Sequence, residues 1–320
     1  MEHKIPKVSV ILPNYNHESY LKVRIDSIVN QTFQDFELII LDDCSTDNSL
    51  EIIRAYETLP QVSHVVINEK NSGSTFKQWK KGFELARGKY IWIAESDDYA
   101  DLTFLEKMTL FLDKDERCTI AFCLSRLVDE KGVVLPIQWS RKMNGNIVHK
   151  FEGQFFIQNY MSVKNSIYNA SMALFRKSAL CCVDKHFMDF RYCGDWFFWN
   201  KICIQGNVVR YEEFLNNFRQ HLNKVTPKAD SMGLKYTEGK YVVADVIEML
   251  DLNWVQQIIV KGCFLKEMYR FPNFKNKGVK RVTIKDVNKF LKSRRFYIYI
   301  FRLDRIFNFS GLDIAKNKKL

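Results

Sequence analysis

The sequence predicts an α/β fold built on a mostly parallel, doubly wound sheet, followed by a helical, basic C-terminal extension. Three observations carry this expectation. Strand-like and helix-like patterns alternate through roughly the first 125 residues, the arrangement that stacks helices on a parallel sheet. Three of the strand-like segments end in polar clusters, where open sheets of this kind bind ligands. Positive charge is gathered at the far end: Lys261 to Leu320 holds 17 Lys and Arg against 4 Asp and Glu, in a chain of net charge +11.

The elements follow in order. Val8 to Leu12 is an apolar run closed by Pro13, as expected of a strand buried on both faces. Leu21, Ile25, Ile28 and Val29 fall on one helical face. Phe36 to Leu41 is the second strand, and Ser45 or Asp47 caps a helix carrying Leu50, Ile53 and Tyr56. Ser63 to Ile67 is the third strand. Phe76, Trp79, Phe83 and Ala86 mark another helical face, with Trp79 in the core. Gly88 breaks that helix, and Lys89 to Ala94 is the fourth strand. Beyond about residue 125 the pattern loosens and grows aromatic, and from about 230 it turns helical, then basic. The expected division is a catalytic domain over 1–230, with halves 1–125 and 126–230, and a helical basic region over 231–320.

With 47% hydrophobic and 27% charged residues the chain reads as globular rather than disordered. No apolar run approaches the roughly 20 residues of a membrane-spanning helix. Met1 to Lys7 is polar, unlike a cleaved signal peptide. The eight cysteines form no Cys-x-x-Cys pair, so reduced thiols in a cytoplasmic protein are expected.

The polar strand ends carry the chemistry. Glu95, Asp97 and Asp98 follow the fourth strand directly, and such packed acids repel unless a cation or solvent relieves them. Hard divalent ions such as Mg²⁺ and Mn²⁺ take carboxylate and phosphate oxygens. The competing reading is that Asp98 or Asp101 caps the next helix. Asp42 and Asp43 end the second strand. They either shape a turn or accept hydrogen bonds from a nucleotide, as acids do in other nucleotide folds.

Val8-Ser-Val-Ile-Leu-Pro-Asn-Tyr-Asn-His, Ser27-Ile-Val-Asn-Gln-Thr-Phe and Phe36-Glu-Leu-Ile-Ile-Leu-Asp-Asp-Cys-Ser-Thr-Asp-Asn-Ser, in this order, resemble the family 2 glycosyltransferases of the GT-A fold. The match is close over about the first 125 residues and extends weakly to about 226. It implies a Rossmann-like GT-A sheet, a nucleoside-diphosphate sugar donor, a divalent metal (Mn²⁺ or Mg²⁺) and inversion at the anomeric carbon. By position, Pro13, Tyr15 and Glu18 would line the nucleotide pocket, with Asp42 and Asp43 on its base or ribose side. Asp97 and Asp98 fall on the family's Asp-x-Asp region, which binds metal and diphosphate. Two departures stand out. The first acid of the usual triplet is Glu95, one methylene longer, and the glycine often found after the Asp pair is Cys44.

An inverting transfer needs a base for the acceptor hydroxyl. Asp195, in Tyr192-Cys-Gly-Asp-Trp-Phe-Phe-Trp, stands where the family carries its base motif before a helix; alternatively it only caps that helix. Phe218-Arg-Gln-His resembles the family's late Arg-x-His segment, which makes His221 a metal ligand or diphosphate contact, or a structural imidazole. Arg219 and Lys224 are further phosphate partners. Ser72 to Thr75 can present backbone N–H groups to an anion at a helix start, with Lys77 adding charge, or simply cap that helix. His17 faces either the donor pocket or solvent.

Basic residues beside Arg294-Arg-Phe-Tyr-Ile-Tyr-Ile-Phe-Arg suit an anionic bilayer, so a peripheral position on the cytoplasmic membrane face and a saccharide or lipid-linked acceptor are expected. The other reading is an apolar run packed on the catalytic domain with solvated lysines. No nucleic-acid module accompanies the charge. Two other functions compete. A sugar nucleotidyltransferase would need a glycine-rich basic loop where this chain has Pro13-Asn-Tyr-Asn-His. A catalytically silent nucleotide-sugar-binding or scaffold protein need not keep Asp43, Asp97, Asp98 and Asp195 together.

Overall fold

The computed structural model describes residues 5–139, 147–221, 229–312 and 314. Two compact units interleave along the chain. The first comprises Met1–Phe151, Asn169–Val183 and Gln205–His221; the second comprises Glu152–Tyr168, Asp184–Ile204 and Leu222–Leu320.

The first unit is built on a nine-stranded sheet. In chain order its elements are β1 (Val8–Asn14), α1 (Glu18–Val29), β2 (Phe36–Asp42), α2 (Ser49–Tyr56), β3 (Val62–Ile67), α3 (Thr75–Leu85), β4 (Tyr90–Ile93), β5 (Tyr99–Ala100), α4 (Phe104–Lys114), β6 (Cys118–Val128), β7 (Val148–Glu152), β8 (Ala173–Arg176) and β9 (Asn207–Arg219). The strand order is β3-β2-β1-β4-β8-β6-β9-β5, with β7 also paired to β9. β1 runs parallel to both β2 and β4, and β2 runs parallel to β3. β8 is antiparallel to β4 and to β6, whereas β6 and β9 are parallel. β1, β2, β4 and β9 therefore point the same way, and their carboxyl ends share one edge of the sheet. All four strands anticipated from sequence are present, and the sheet is mostly parallel, as expected.

Every residue of β1, β2 and β4 is buried, which is why they read as unbroken apolar runs. Burying one aliphatic side chain contributes about 1.5–3 kcal/mol, so these strands add substantially to the apolar core of the unit. Gly88 has a role beyond ending a helix. A Cβ there would lie 2.5 Å from the Ser9 backbone nitrogen. Its own N–H donates to Ser9 Oγ at 2.8 Å, and Ser9 Oγ donates to the buried Glu37 at 2.7 Å. Arg87 closes that cluster with Nε 2.8 Å from the other Glu37 oxygen.

The later strands are less regular. β9 buries Arg210, Glu212, Asn216 and Arg219 along with its apolar residues. Arg210 lies 3.4 Å from Glu212, which also meets His149 at 2.9 Å. Asn216 donates to Ser125 Oγ and Asn169 Oδ1, both at 2.9 Å. A strand buried this way needs partners for its polar groups, and β6, β7 and the turn at Asn169 supply several of them.

The second unit is helical. It contains α5 (Gly153–Phe156), α6 (Gly194–Cys203), α7 (Leu234–Met249), α8 (Trp254–Arg270), α9 (Lys277–Phe290) and α10 (Tyr297–Phe307). Glu238 of α7 accepts the backbone N–H groups of Arg191, Tyr192 and Cys193 at 3.1, 2.8 and 2.9 Å, fixing the segment that leads into α6. Trp196 of α6 donates from Nε1 to the Met161 carbonyl at 2.7 Å. Asn253 and Gln256 form a reciprocal cap at the start of α8. Among the described residues no helix is long and apolar enough to cross a membrane.

Candidate active site

The site in the first unit is made at the carboxyl edge of the sheet. The residues after β1 turn sharply, with Asn16 at φ 53°, and deliver His17 to the start of α1. The residues after β4 bring Glu95 to Asp98, and β9 ends at Arg219 just before His221. One ligand atom from each of His17, Asp97 and His221 lies within 4.8 Å of the other two. His221 Nε2 is 3.0 Å from Asp97 Oδ2, and His17 Nδ1 is 2.7 Å from Ser96 Oγ. The two imidazoles meet edge-on, with ring centres 5.6 Å apart. The buried Nδ1 of His221 has no hydrogen-bond partner among the described residues.

This group fits a divalent cation. Two imidazole nitrogens and one carboxylate oxygen converge from separate strand ends, and one buried nitrogen is left wanting a partner. The mixed nitrogen and oxygen set suits Mn²⁺ better than Mg²⁺, which prefers oxygen alone.

Asp98 is turned elsewhere. It is fully buried and accepts from Asn169 Nδ2 at 2.8 Å, Ser171 Oγ at 2.7 Å and the Arg219 backbone N–H at 3.1 Å. Its carboxylate ties β4, the turn before β8 and β9 together. Arg219 donates from Nε to the Asp97 carbonyl at 2.8 Å and from Nη1 to the Asp129 and Glu130 carbonyls, and it stacks on Tyr20 and Tyr99. It clamps the acidic turn from beneath.

Glu95 receives the Trp79 indole N–H at 2.8 Å, so Trp79 is a core residue, as expected, with its polar edge on the site. Burial, with Asp97 close by, pushes the Glu95 carboxyl up to about 8. Beneath the acids lies Arg24, wholly buried, 4.7 Å over the Trp92 ring. None of its guanidinium nitrogens has a hydrogen-bond partner among the described residues. Burial pulls its pKa down to about 10 against the opposing charges of Asp98, Glu95 and Asp97. Arg24 is thus a countercharge set into the floor of the acidic turn.

The remaining expected donor residues are placed as follows. Asn14 and Asp42 are register partners, and Asp42 accepts from Asn14 Nδ2, Ser45 N and Ser45 Oγ at 2.8, 2.8 and 2.7 Å. Asp43 accepts from Asn68 Nδ2, Ser72 N, Ser72 Oγ and Gln78 Nε2 at 2.6–2.9 Å. The anion that the loop before α3 wraps is therefore Asp43 itself, and Lys77 Nζ donates to the Ser72 carbonyl at 3.1 Å. Glu18 accepts the Asn48 N–H at 2.7 Å while Asp47 accepts the Glu18 N–H at 2.9 Å, so each acid serves the other's helix. Pro13 is buried in β1, and Tyr15 is 46% exposed beyond it. Cys44 adopts φ 63°, the left-handed conformation that explains the glycine usual in the resembling family. Lys224 lies outside the described residues.

Asp195 stands in the first turn of α6 in the second unit. Its Oδ2 accepts from Asn165 Nδ2 at 2.8 Å and its Oδ1 from the Trp196 N–H at 2.7 Å. Burial outweighs these bonds and pushes the carboxyl up to about 7. A carboxylate poised there exchanges a proton readily near neutral pH. Glu238 takes the backbone donors before α6, which leaves Asp195 free of that duty.

Sequence reasoning left His17 undecided and did not find Arg24, Asn165 or Glu238. His17 carried a signal, because it directly follows a polar strand end. The other three gain meaning only from partners more than 25 residues away, such as Asn165 with Asp195 and Glu238 with Cys193.

Residues 9–183 match the model of the family described as Glycosyl transferase family 2. A putative teichuronic acid biosynthesis glycosyltransferase, TuaG of Bacillus subtilis, is 36% identical over 130 residues, 41% of this chain and 51% of that protein. An uncharacterized glycosyltransferase of Methanocaldococcus jannaschii is 31% identical over 67% of this chain and 71% of its own length. Among solved structures, S. aureus TarS 1-349 in complex with UDP-GlcNAc superposes with a TM-score of 0.68 over 98% of this chain and 92% of that one, at 18% identity. At that identity the likeness is one of fold, the GT-A fold.

Proposed function

Since the chain belongs to glycosyl transferase family 2, we propose that it transfers a sugar, with inversion, from a nucleoside-diphosphate donor to an acceptor hydroxyl during assembly of a surface polysaccharide or lipid-linked saccharide. The observation that carries this reading is the convergence of His17, Asp97 and His221 at the strand ends. Those three residues would hold Mn²⁺, which would supply positive charge against the departing diphosphate. Pro13, Tyr15, Asp43 and Lys77 form the nucleotide side, at the ends of β1 and β2 and the start of α3. Asp42, Glu18 and Asp98 serve by fixing the loops around it.

Asp195 is the base. The acceptor oxygen forms a bond to the anomeric carbon as the bond from that carbon to the diphosphate oxygen breaks. The hydroxyl proton passes to Asp195, and the electron pair leaves with the nucleoside diphosphate. Asn165 orients the carboxylate through its bond to Oδ2. The relatives support the polymer side of the reading: TuaG is named for teichuronic acid biosynthesis, and a match of 34% over 134 residues is a chondroitin synthase of Pasteurella multocida. The basic residues of the C-terminal helices support a position at an anionic membrane face, where a lipid-linked acceptor would be met.

The test is release of nucleoside diphosphate from a panel of nucleotide sugars, beginning with UDP-GlcNAc, with and without Mn²⁺. Metal-dependent release, lost in Asp97→Ala and Asp195→Asn, supports the reading. Failure of every donor both to turn over and to bind calorimetrically overturns it and favours a scaffold.

A further inference from the structure

Helix α10 is held by one face and bare on the other. Ile298, Phe301 and Asp304 are buried, and α8 comes so close that a Cβ on Gly262 would lie 2.3 Å from the Tyr297 carbonyl oxygen. Asp304 also ties down the following turn, accepting Ser310 N–H and Oγ–H at 2.8 and 2.7 Å. The opposite face carries Phe296, Tyr299, Leu303, Ile306 and Phe307, which are 49, 58, 50, 72 and 70% exposed, and Phe309 continues it. At 3.6 residues per turn these positions form one stripe. A pinned helix with so apolar an outer face is not explained by the packing of its own unit.

A basic cavity adjoins this stripe. Lys266, Arg270, Arg295 and Arg302, with Tyr269 and Tyr299, line a space of about 100 Å³ between α8 and α10. Among the described residues no acidic side chain lines it. Arg295 and Arg302 lie over the Tyr269 and Tyr299 rings at 5.4 and 5.6 Å, and neither has a carboxylate partner among the described residues. The two arginines are seven residues apart and border the apolar stripe on one side. A pure protein interface would not need two arginines without carboxylate partners beside a hole, and a site for a free anion would not need the apolar stripe. An anionic lipid surface requires both.

We propose that α10 lies in the headgroup layer of an anionic bilayer, with the α8–α10 cavity receiving a phospholipid phosphate and the stripe entering the acyl boundary. This deepens, and rests on, the membrane-facing part of the proposed function.

The test is cosedimentation of the full chain with phosphatidylcholine vesicles containing or lacking phosphatidylglycerol. Binding to the anionic vesicles alone, weakening as salt rises, is expected. The double variant Arg295→Gln/Arg302→Gln lowers partitioning about thirtyfold, roughly fivefold per cation removed. The double variant Ile306→Ser/Phe307→Ser also weakens partitioning but leaves the salt dependence of the residual binding unchanged. All four positions are exposed, so unchanged melting temperatures show that the fold is intact. A wild-type chain that stays in solution overturns the proposal. So does binding that ignores both double variants, or an inorganic phosphate titration that fills the cavity of a chain no vesicle retains. Diphosphate release measured without vesicles reads the transferase assignment separately.

Discussion

His221 Nε2 lies 3.0 Å from Asp97 Oδ2, although the two residues are 124 positions apart in the chain. The contact joins the end of β9 to the turn after β4, and with His17 it makes the three-point cation site proposed above. Asp97→Asn and His221→Ala should each weaken Mn²⁺ binding by more than the roughly 10–100-fold lost when only an outer partner is removed. Neither should lower the melting temperature much without metal. Asp98→Asn should do the reverse, since its amide would present a donor to a site with three donors already, at about 1–3 kcal/mol. Calorimetric Mn²⁺ titration and thermal melts on the same samples separate the two acids. Equal loss of metal affinity in both would refute the assignment.

As the proposed base, Asp195 would set an acid limb on the rate. Its carboxyl is raised to about 7, so kcat/KM should climb with pH and level off above that value. Asp195→Asn should lower kcat by about 10²–10⁴-fold and remove the limb. The stability sign is opposite to that of a salt-bridged acid. A folded-state pKa above the unfolded one means that the native state binds the extra proton. The stabilisation is complete below about pH 4 and is lost as pH rises through about 7. Wild type should thus lose stability relative to Asp195→Asn between those values, as denaturant melts at a series of pH values will read.

Arg24 predicts a metal-dependent phenotype without touching metal. In its absence the acids at 95, 97 and 98 lose their buried countercharge, and a bound metal would stand in for it. Arg24→Met should fold, with a larger rise in melting temperature on adding Mn²⁺ than wild type shows. An equal rise in both proteins would mean that the guanidinium is only packing against Trp92.

Gly88→Ala tests the sheet rather than the chemistry. The new methyl would meet backbone at 2.5 Å, which cannot rotate away. A loss of about 1–3 kcal/mol in urea melts is expected. A change under a few tenths would show that β1 and the 87–88 turn separate easily.

Much of the first unit was legible because β1, β2 and β4 are buried on both faces and say so in composition. β9 was not, because its interior positions include Arg210, Glu212 and Asn216, whose partners on β6 and β7 and in the turn at Asn169 no local pattern reveals. The acidic turn was visible as a cluster, yet the division of labour between Asp97 and Asp98 depends on which way each carboxylate points. Asp97 turns to His221 and Asp98 to Asn169, Ser171 and Arg219. Those partners come from two later segments of the chain, the turn at 169–171 and the end of β9. The loop before α3 was legible as a collar of donors, but the anion at its centre proved to be Asp43.

Glu238 gives the helical C-terminal region a bearing on how the gene can be trimmed. The family match ends at residue 183, and a designer seeking a minimal enzyme would be tempted to stop soon after β9. Such a fragment would discard the carboxylate that collects the N–H groups of Arg191, Tyr192 and Cys193, leaving them bare beside the proposed base. The shortest expressible catalyst therefore extends past Glu238, and a library of C-terminal deletions should show no activity in any fragment that lacks it.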